Sequence, residues 1–154
     1  MIYSKIRYGI CVYGFTKNAN MNKLQVLQNK LLKVITGKEM RYSTNMLHND
    51  LHVLQVRDVL TQEITSFVNK YLNKKLPAIF EGYYKKFNEI HDYNTRGSTN
   101  TLIIPKYKTE LDKKTVKIYG CTAWNELSNE VKSIENQKSF RKAIKEDILP
   151  YSTS

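Results

Sequence analysis

The chain has 154 residues, 41% of them hydrophobic, and a formal net charge of +11 with a pI near 9.6. That length allows one domain or two small helical parts, and the apolar content excludes a globally disordered chain. No run approaches the roughly 20 apolar residues of a membrane span, and the N-terminus lacks the pattern of a signal peptide, so an intracellular chain with Cys11 and Cys121 as free thiols is expected.

Taken in chain order, the periodicity is mostly helical. The opening segment from Ile6 to Gly14 is apolar and glycine-punctuated, and fits a short helix or a strand. Asn18 and Asn20 then offer N-caps for a helix over 21–36. Leu24, Leu27, Leu31 and Ile35 form its apolar stripe, Lys23, Lys30 and Lys33 an adjacent cationic strip, and Gly37 its stop. A second helix starts at Ser43 or Thr44 and pairs Leu47 with Leu51. The longest runs over 56–73, with Val56, Val59, Leu60, Ile64, Phe67, Val68, Tyr71 and Leu72 on one apolar face. Pro77 fits the first position of a further short helix.

Between about 88 and 114 the pattern breaks. Gly97, Ser98, Thr99 and Asn100 are turn formers, and Thr101-Leu102-Ile103-Ile104 before Pro105 is the one β candidate. Helical spacing resumes with Val116, Tyr119, Ala123, Trp124 and Leu127. A last helix carries Phe140, Ala143, Ile144 and Ile148 up to Pro150. The predicted fold is mainly α, with at most one short β element: a basic helical region over 1–87, an irregular linker over 88–114, a smaller helical part over 115–150 and a tail over 151–154. Trp124 is expected as a core anchor, with Asn125 free to cap or bond to a neighbouring backbone.

The sequence offers no catalytic constellation. His48 and His52 stand at i and i+4, the spacing of two zinc ligands on one helix face, but Asn49 occupies the glutamate position of the zincin motif and no third ligand is evident. Both histidines are expected at the boundary of the Leu47/Leu51 face. No Cys-x-x-Cys or Walker-type loop is present. Two-metal phosphoryl transfer needs several convergent carboxylates. Only Glu39, Asp50, Asp58 and Glu63 precede Pro77. No cofactor, no metal and no catalytic residue is therefore expected.

The charge is uneven. Residues 1–44 carry eight basic side chains against the single acid Glu39, hence +7, whereas residues 78–154 carry thirteen against ten, hence +3. A cationic N-terminal third suits a polyanion, because each neutralised phosphate releases condensed counterion. Lys23, Lys30, Lys33, Lys38 and Arg41 are the candidate phosphate contacts, on RNA or on an RNA–DNA or DNA duplex. Farther on, Tyr83-Tyr84-Lys85-Lys86-Phe87, then His91, Tyr93 and Arg96, interleave aromatic and basic groups in a manner suited to unpaired bases. At helical spacing, Tyr83, Tyr84 and Phe87 also suit a core, which is the expectation for at least two of them.

An ordered set of motifs runs from about residue 2 to 150: Tyr8-Gly9 with Gly14; Leu24-Gln25-x-x-Gln28-Asn29-Lys30; Leu47 to Leu51; Leu76-Pro77; His91-x-Tyr93-Asn94-Thr95-Arg96; Gly120-x-x-x-Trp124-Asn125-x-Leu127; and Phe140-Arg141-Lys142. This succession resembles the C-terminal end of reverse transcriptases from non-LTR retrotransposons of the jockey and CR1 type. The resemblance implies a thumb-like helical region that grips template–primer, partnered by a palm that carries the polymerase aspartates upstream. It marks His91, Asn94, Thr95, Trp124 and Asn125 as structural signature positions. Ser128 departs from the proline usual after the Trp-Asn-x-Leu element, which implies a softer helix stop there. Two other readings stand beside this one: a helical protein-interaction module with an acidic partner, and a degenerate product without function.

Overall fold

A computed structural model describes residues 2–89 and 100–149. Among them are nine α-helices: α1 (Ile2–Arg7), α2 (Ile10–Tyr13), α3 (Asn18–Thr36), α4 (Thr44–Asp50), α5 (Val56–Leu72), α6 (Glu110–Lys113), α7 (Val116–Glu126), α8 (Asn129–Lys132) and α9 (Gln137–Ile148). The fold is mainly α. The β content of the described residues is one antiparallel bridge, between Lys86 and Leu102. Packing divides the chain into two compact units, 1–62 with 144–154, and 63–143. The divisions fall inside α5 and α9, and the segment 100–114, which reads as linker in the sequence, belongs to the second unit.

In the first unit the ambiguous opening is helical. Gly9, at φ +70° in the left-handed region that favours glycine, separates α1 from α2. The Tyr13 hydroxyl donates to the Ile6 carbonyl and ties the two together. A Cβ on Gly14 would collide with the Ile10 carbonyl oxygen and stand 2.6 Å from Leu60 Cδ1, so the end of α2 approaches α5 as only glycine permits.

The structure corrects the expected start of α3. The helix begins at Asn18 after an N-cap Lys17 that makes no side-chain cap bond. Asn18 and Asn20 lie inside it and bond elsewhere: Asn18 Oδ1 accepts from Arg57 Nη2 at 3.2 Å, and Asn20 Nδ2 donates to Thr16 Oγ1 at 3.2 Å. Gly37 ends the helix at φ +65°, its N–H donating to the Lys33 and Val34 carbonyls.

The packing face of α3 is a second correction. Leu27 is 53% exposed and Ile35 68%, whereas Met21, Gln28 and Lys33 are buried. Leu24 and Leu31 are half-buried, so the apolar stripe is only partly covered, and the helix also packs through amides. Gln25 Oε1 accepts the Val56 N–H at 2.7 Å, supplying an acceptor at the start of α5, and Gln28 Nε2 donates to the Leu54 carbonyl at 2.9 Å. Burial of these polar groups is tolerated because each is hydrogen-bonded. Leu47, Leu54, Val56 and Val59 complete this core. Leu51 is only half-buried, so the expected Leu47/Leu51 pair is reduced to Leu47.

The second unit is built on the rest of α5. Ile64 and Val68 are fully buried, together with Thr65, Ser66 and Asn69. Asn69 Nδ2 donates to the Ile134 carbonyl at 2.8 Å, while Arg141 reaches Ser66 Oγ at 3.3 Å and Glu63 Oε2 at 2.8 Å. Phe67, Tyr71, Phe80, Tyr83 and Tyr84 meet edge to face, with ring centroids 4.9–6.4 Å apart. The polypeptide enters this cluster through a single 3-10 turn at Ala78–Phe80, with Pro77 at its N-cap and not at the first helical position.

α7 lies close behind the cluster. A Cβ on Gly120 would stand 2.5 Å from Tyr84 Oη and 3.2 Å from Val68 Cγ2. α6 has no counterpart in the apolar periodicity and is created by a capping box: Thr109 accepts from the Asp112 N–H, and the Asp112 side chain accepts from the Thr109 N–H. At the end of α7 the extended Leu127 stops the helix. Ser128 then acts as the N-cap of α8, accepting from the Val131 N–H. The missing proline therefore costs no helix stop.

Candidate nucleic-acid interface

Seven residues separate Lys23 from Lys30 in α3, two helical turns, so their stems share one face about 10 Å apart along the axis. Both are exposed, and Val26, Leu27 and Val34 lie exposed on the same side. Lys38 and Arg41 are exposed in the connection between α3 and α4. Lys38 is held in place there, its N–H donating to the Lys33 carbonyl at 3.1 Å and its Nζ lying 4.6 Å from the centre of the Tyr42 ring. The Tyr42 hydroxyl is fixed in turn by donating to Asp50 Oδ2 at 2.7 Å.

Lys33 does not join this strip. It is 7% exposed, and its Nζ donates to the Met40 carbonyl at 2.7 Å. Its position in the last turn of α3 puts the charge beside the carbonyl-rich helix end, where a cation is favoured. The three-lysine strip expected from helical spacing is thus two lysines and a buried staple.

His48 is likewise a core residue and not a boundary one. It is 1% exposed, with Nδ1 2.7 Å from the Val53 carbonyl oxygen and Nε2 2.8 Å from Asn29 Oδ1 and 3.2 Å from Gln25 Nε2. The Val53 carbonyl and the Asn29 amide oxygen both only accept, so each ring nitrogen faces an acceptor. His52 is exposed, with a left-handed φ of 47°. Among the described residues no three His, Cys, Asp or Glu side chains gather as metal ligands. Burial raises the nearby Asp58 carboxyl above the ordinary aspartate range; the Gln55 backbone N–H and the charge of His48 oppose the shift.

Gln25, Gln28, Asn29 and His48 are the organising residues that sequence reasoning did not single out as such. Their signal was present: amides at i, i+3 and i+4 within Leu24-Gln25-x-x-Gln28-Asn29-Lys30 lie on one side of a helix.

In the second unit Trp124 is 2% exposed, stacks on Phe140 with centroids 5.9 Å apart, and donates its Nε1–H to the Asn100 carbonyl at 2.9 Å. Asn125 bonds both backbone groups of Leu102, at 2.9 Å each. Tyr84 is buried and Tyr83 half-buried under Lys117, whose Nζ is 5.2 Å from the Tyr83 ring centre, so both serve packing. Cys121 is buried as a free thiol and burial pushes it up to about 11, far from a reactive thiolate. Tyr107 is 43% exposed with Lys113 Nζ 5.3 Å from its ring centre, and Lys113 also pairs with Glu110 at 2.6 Å. His91, Tyr93, Asn94, Thr95 and Arg96 lie outside the described residues.

No helix among the described residues is long and apolar enough to cross a membrane. No protein-family model, no curated protein and no solved structure matches the chain.

Proposed function

We propose that this chain binds nucleic acid through phosphate contacts from Lys23, Lys30, Lys38 and Arg41, with no catalytic chemistry of its own. On this reading it is the thumb and post-palm part of a retrotransposon reverse transcriptase, acting beside the palm. Tyr93 and Arg96 add a stacking face and a further phosphate contact. The observation that carries the reading is the separation of charge. No Asp or Glu occurs in residues 1–38, and four cations of the first 41 residues stand exposed on α3 and just after it. A duplex presents a phosphate about every 1.7 Å of its axis, so lysines two helical turns apart can meet one backbone.

The test is direct. Purified chain is titrated against primed RNA and DNA templates by anisotropy, then incubated with nucleotides and Mg²⁺ or Mn²⁺. Binding that weakens steeply with salt, with neither extension nor cleavage, is the expected result. Binding indifferent to salt contradicts the phosphate assignment, and extension or cleavage contradicts the non-catalytic one.

A further inference from the structure

The partly covered leucine stripe of α3 forms the floor of a groove of about 710 Å³ in the first unit. Met21, Leu24, Leu27 and Leu31 line it from α3, Tyr13 forms a wall, and Lys5 and Lys23 stand among the lining residues. The wall is fixed, because the Tyr13 hydroxyl donates to the Ile6 carbonyl across the α1–α2 corner. Among the lining residues no acid occurs, and both lysines are exposed.

We infer that this groove takes an acidic amphipathic helix from another protein. An apolar floor with cations among its lining residues selects a ligand that is apolar on one side and anionic beside it. The lining from Asn20 to Leu31 extends about 16 Å along α3. That length holds about three turns of a second helix, whose apolar side chains at i, i+3 or i+4 and i+7 enter the floor. A nucleic-acid backbone suits the floor poorly, since burying phosphates over leucines costs their hydration without supplying donors. A second copy of this chain would bring its own cations against Lys5 and Lys23. An acidic helix meets both requirements, and burial of Leu27, which is 53% exposed, supplies apolar driving force. The inference does not depend on the nucleic-acid reading.

The experiment uses the full chain and a fluorescein-labelled peptide of about 15 residues with leucines at helical spacing and glutamates elsewhere. A lysine-for-glutamate counterpart and a scrambled glutamate peptide are the controls. The expected result is saturable binding of the ordered acidic peptide alone, weakened about tenfold or more by Leu27→Asp and by Lys5→Glu. Both positions are exposed, so the variants are expected to keep the helical circular dichroism of the parent. Equal binding of the three peptides overturns the inference, as does an affinity unmoved by Leu27→Asp in a folded variant. A dimer of the parent chain in sedimentation that Leu27→Asp dissociates would assign the groove to self-association and overturn it too.

Discussion

The Asn125 side chain pairs with Leu102 as a strand would: its Oδ1 accepts the Leu102 N–H and its Nδ2 donates to the Leu102 carbonyl, each at 2.9 Å. On either side of Leu102, the Thr101 carbonyl accepts from the Phe87 N–H and the Ile103 N–H donates to the Lys85 carbonyl. One residue of an otherwise irregular segment therefore has sheet-like neighbours on both edges, one a true backbone and the other an amide from α7. The consequence is a definite expectation. Asn125→Ala leaves both Leu102 groups without partners and should cost about 1–3 kcal/mol. Asn125→Asp keeps the acceptor, loses the donor, and should restore only part of the loss. Urea melts of the three chains measure both.

Trp124, one residue earlier, faces the core instead. Emptying a site stacked on Phe140 and bonded to the Asn100 carbonyl should cost about 3–5 kcal/mol in Trp124→Ala. A variant that keeps its melting temperature but loses oligonucleotide binding would make the tryptophan a stacking residue.

Lys33 is expected to behave unlike its neighbours. Lys33→Gln removes the buried donor to the Met40 carbonyl and should destabilise the chain by about 1–3 kcal/mol. Lys30→Gln, on an exposed position, should leave stability within about 0.5 kcal/mol. Thermal melts of the two variants beside the parent separate the roles.

Asp58 supplies a pH-dependent expectation. Its carboxyl is raised in the folded chain, chiefly by burial, so the folded chain holds that proton more tightly than the unfolded one. Below the unfolded aspartate value of about 3.9 both states are protonated and the group contributes nothing to the difference. As pH rises through the folded value, stability is lost, and the loss is complete at neutral pH. Asp58→Asn, which keeps an acceptor for the Gln55 N–H, should therefore melt higher than the parent at pH 7. That advantage should disappear below about pH 3.9. A parent–variant difference that does not change with pH would contradict this.

Helix positions were legible in the sequence because periodicity and punctuation agreed at α5, α7 and α9, and at Gly37. What misled was the assumption that the most apolar side of α3 faces inward. In α3 the buried residues are Met21, Gln28 and Lys33, and Gln28 is buried and Gln25 half-buried against specific backbone partners at Leu54 and Val56. Periodicity counts apolar residues and has no way to register such partners. Lys33 was misread for the same reason: its role depends on the Met40 carbonyl, seven residues on, brought back by the left-handed turn at Gly37. α6 was within reach, since Thr109-x-x-Asp112 is a capping-box spacing, but a single turn carries too little periodicity to stand out.

The proposal that exposed cations of the first unit neutralise phosphates is decided by the salt dependence of binding. Affinity for a duplex or hybrid oligonucleotide is measured from low to high salt for the parent and for Lys23→Gln/Lys30→Gln/Lys38→Gln/Arg41→Gln. If all four residues contact phosphates, the log–log slope should shrink by about three to four units, with circular dichroism unchanged. An unchanged slope in a folded variant would contradict the claim.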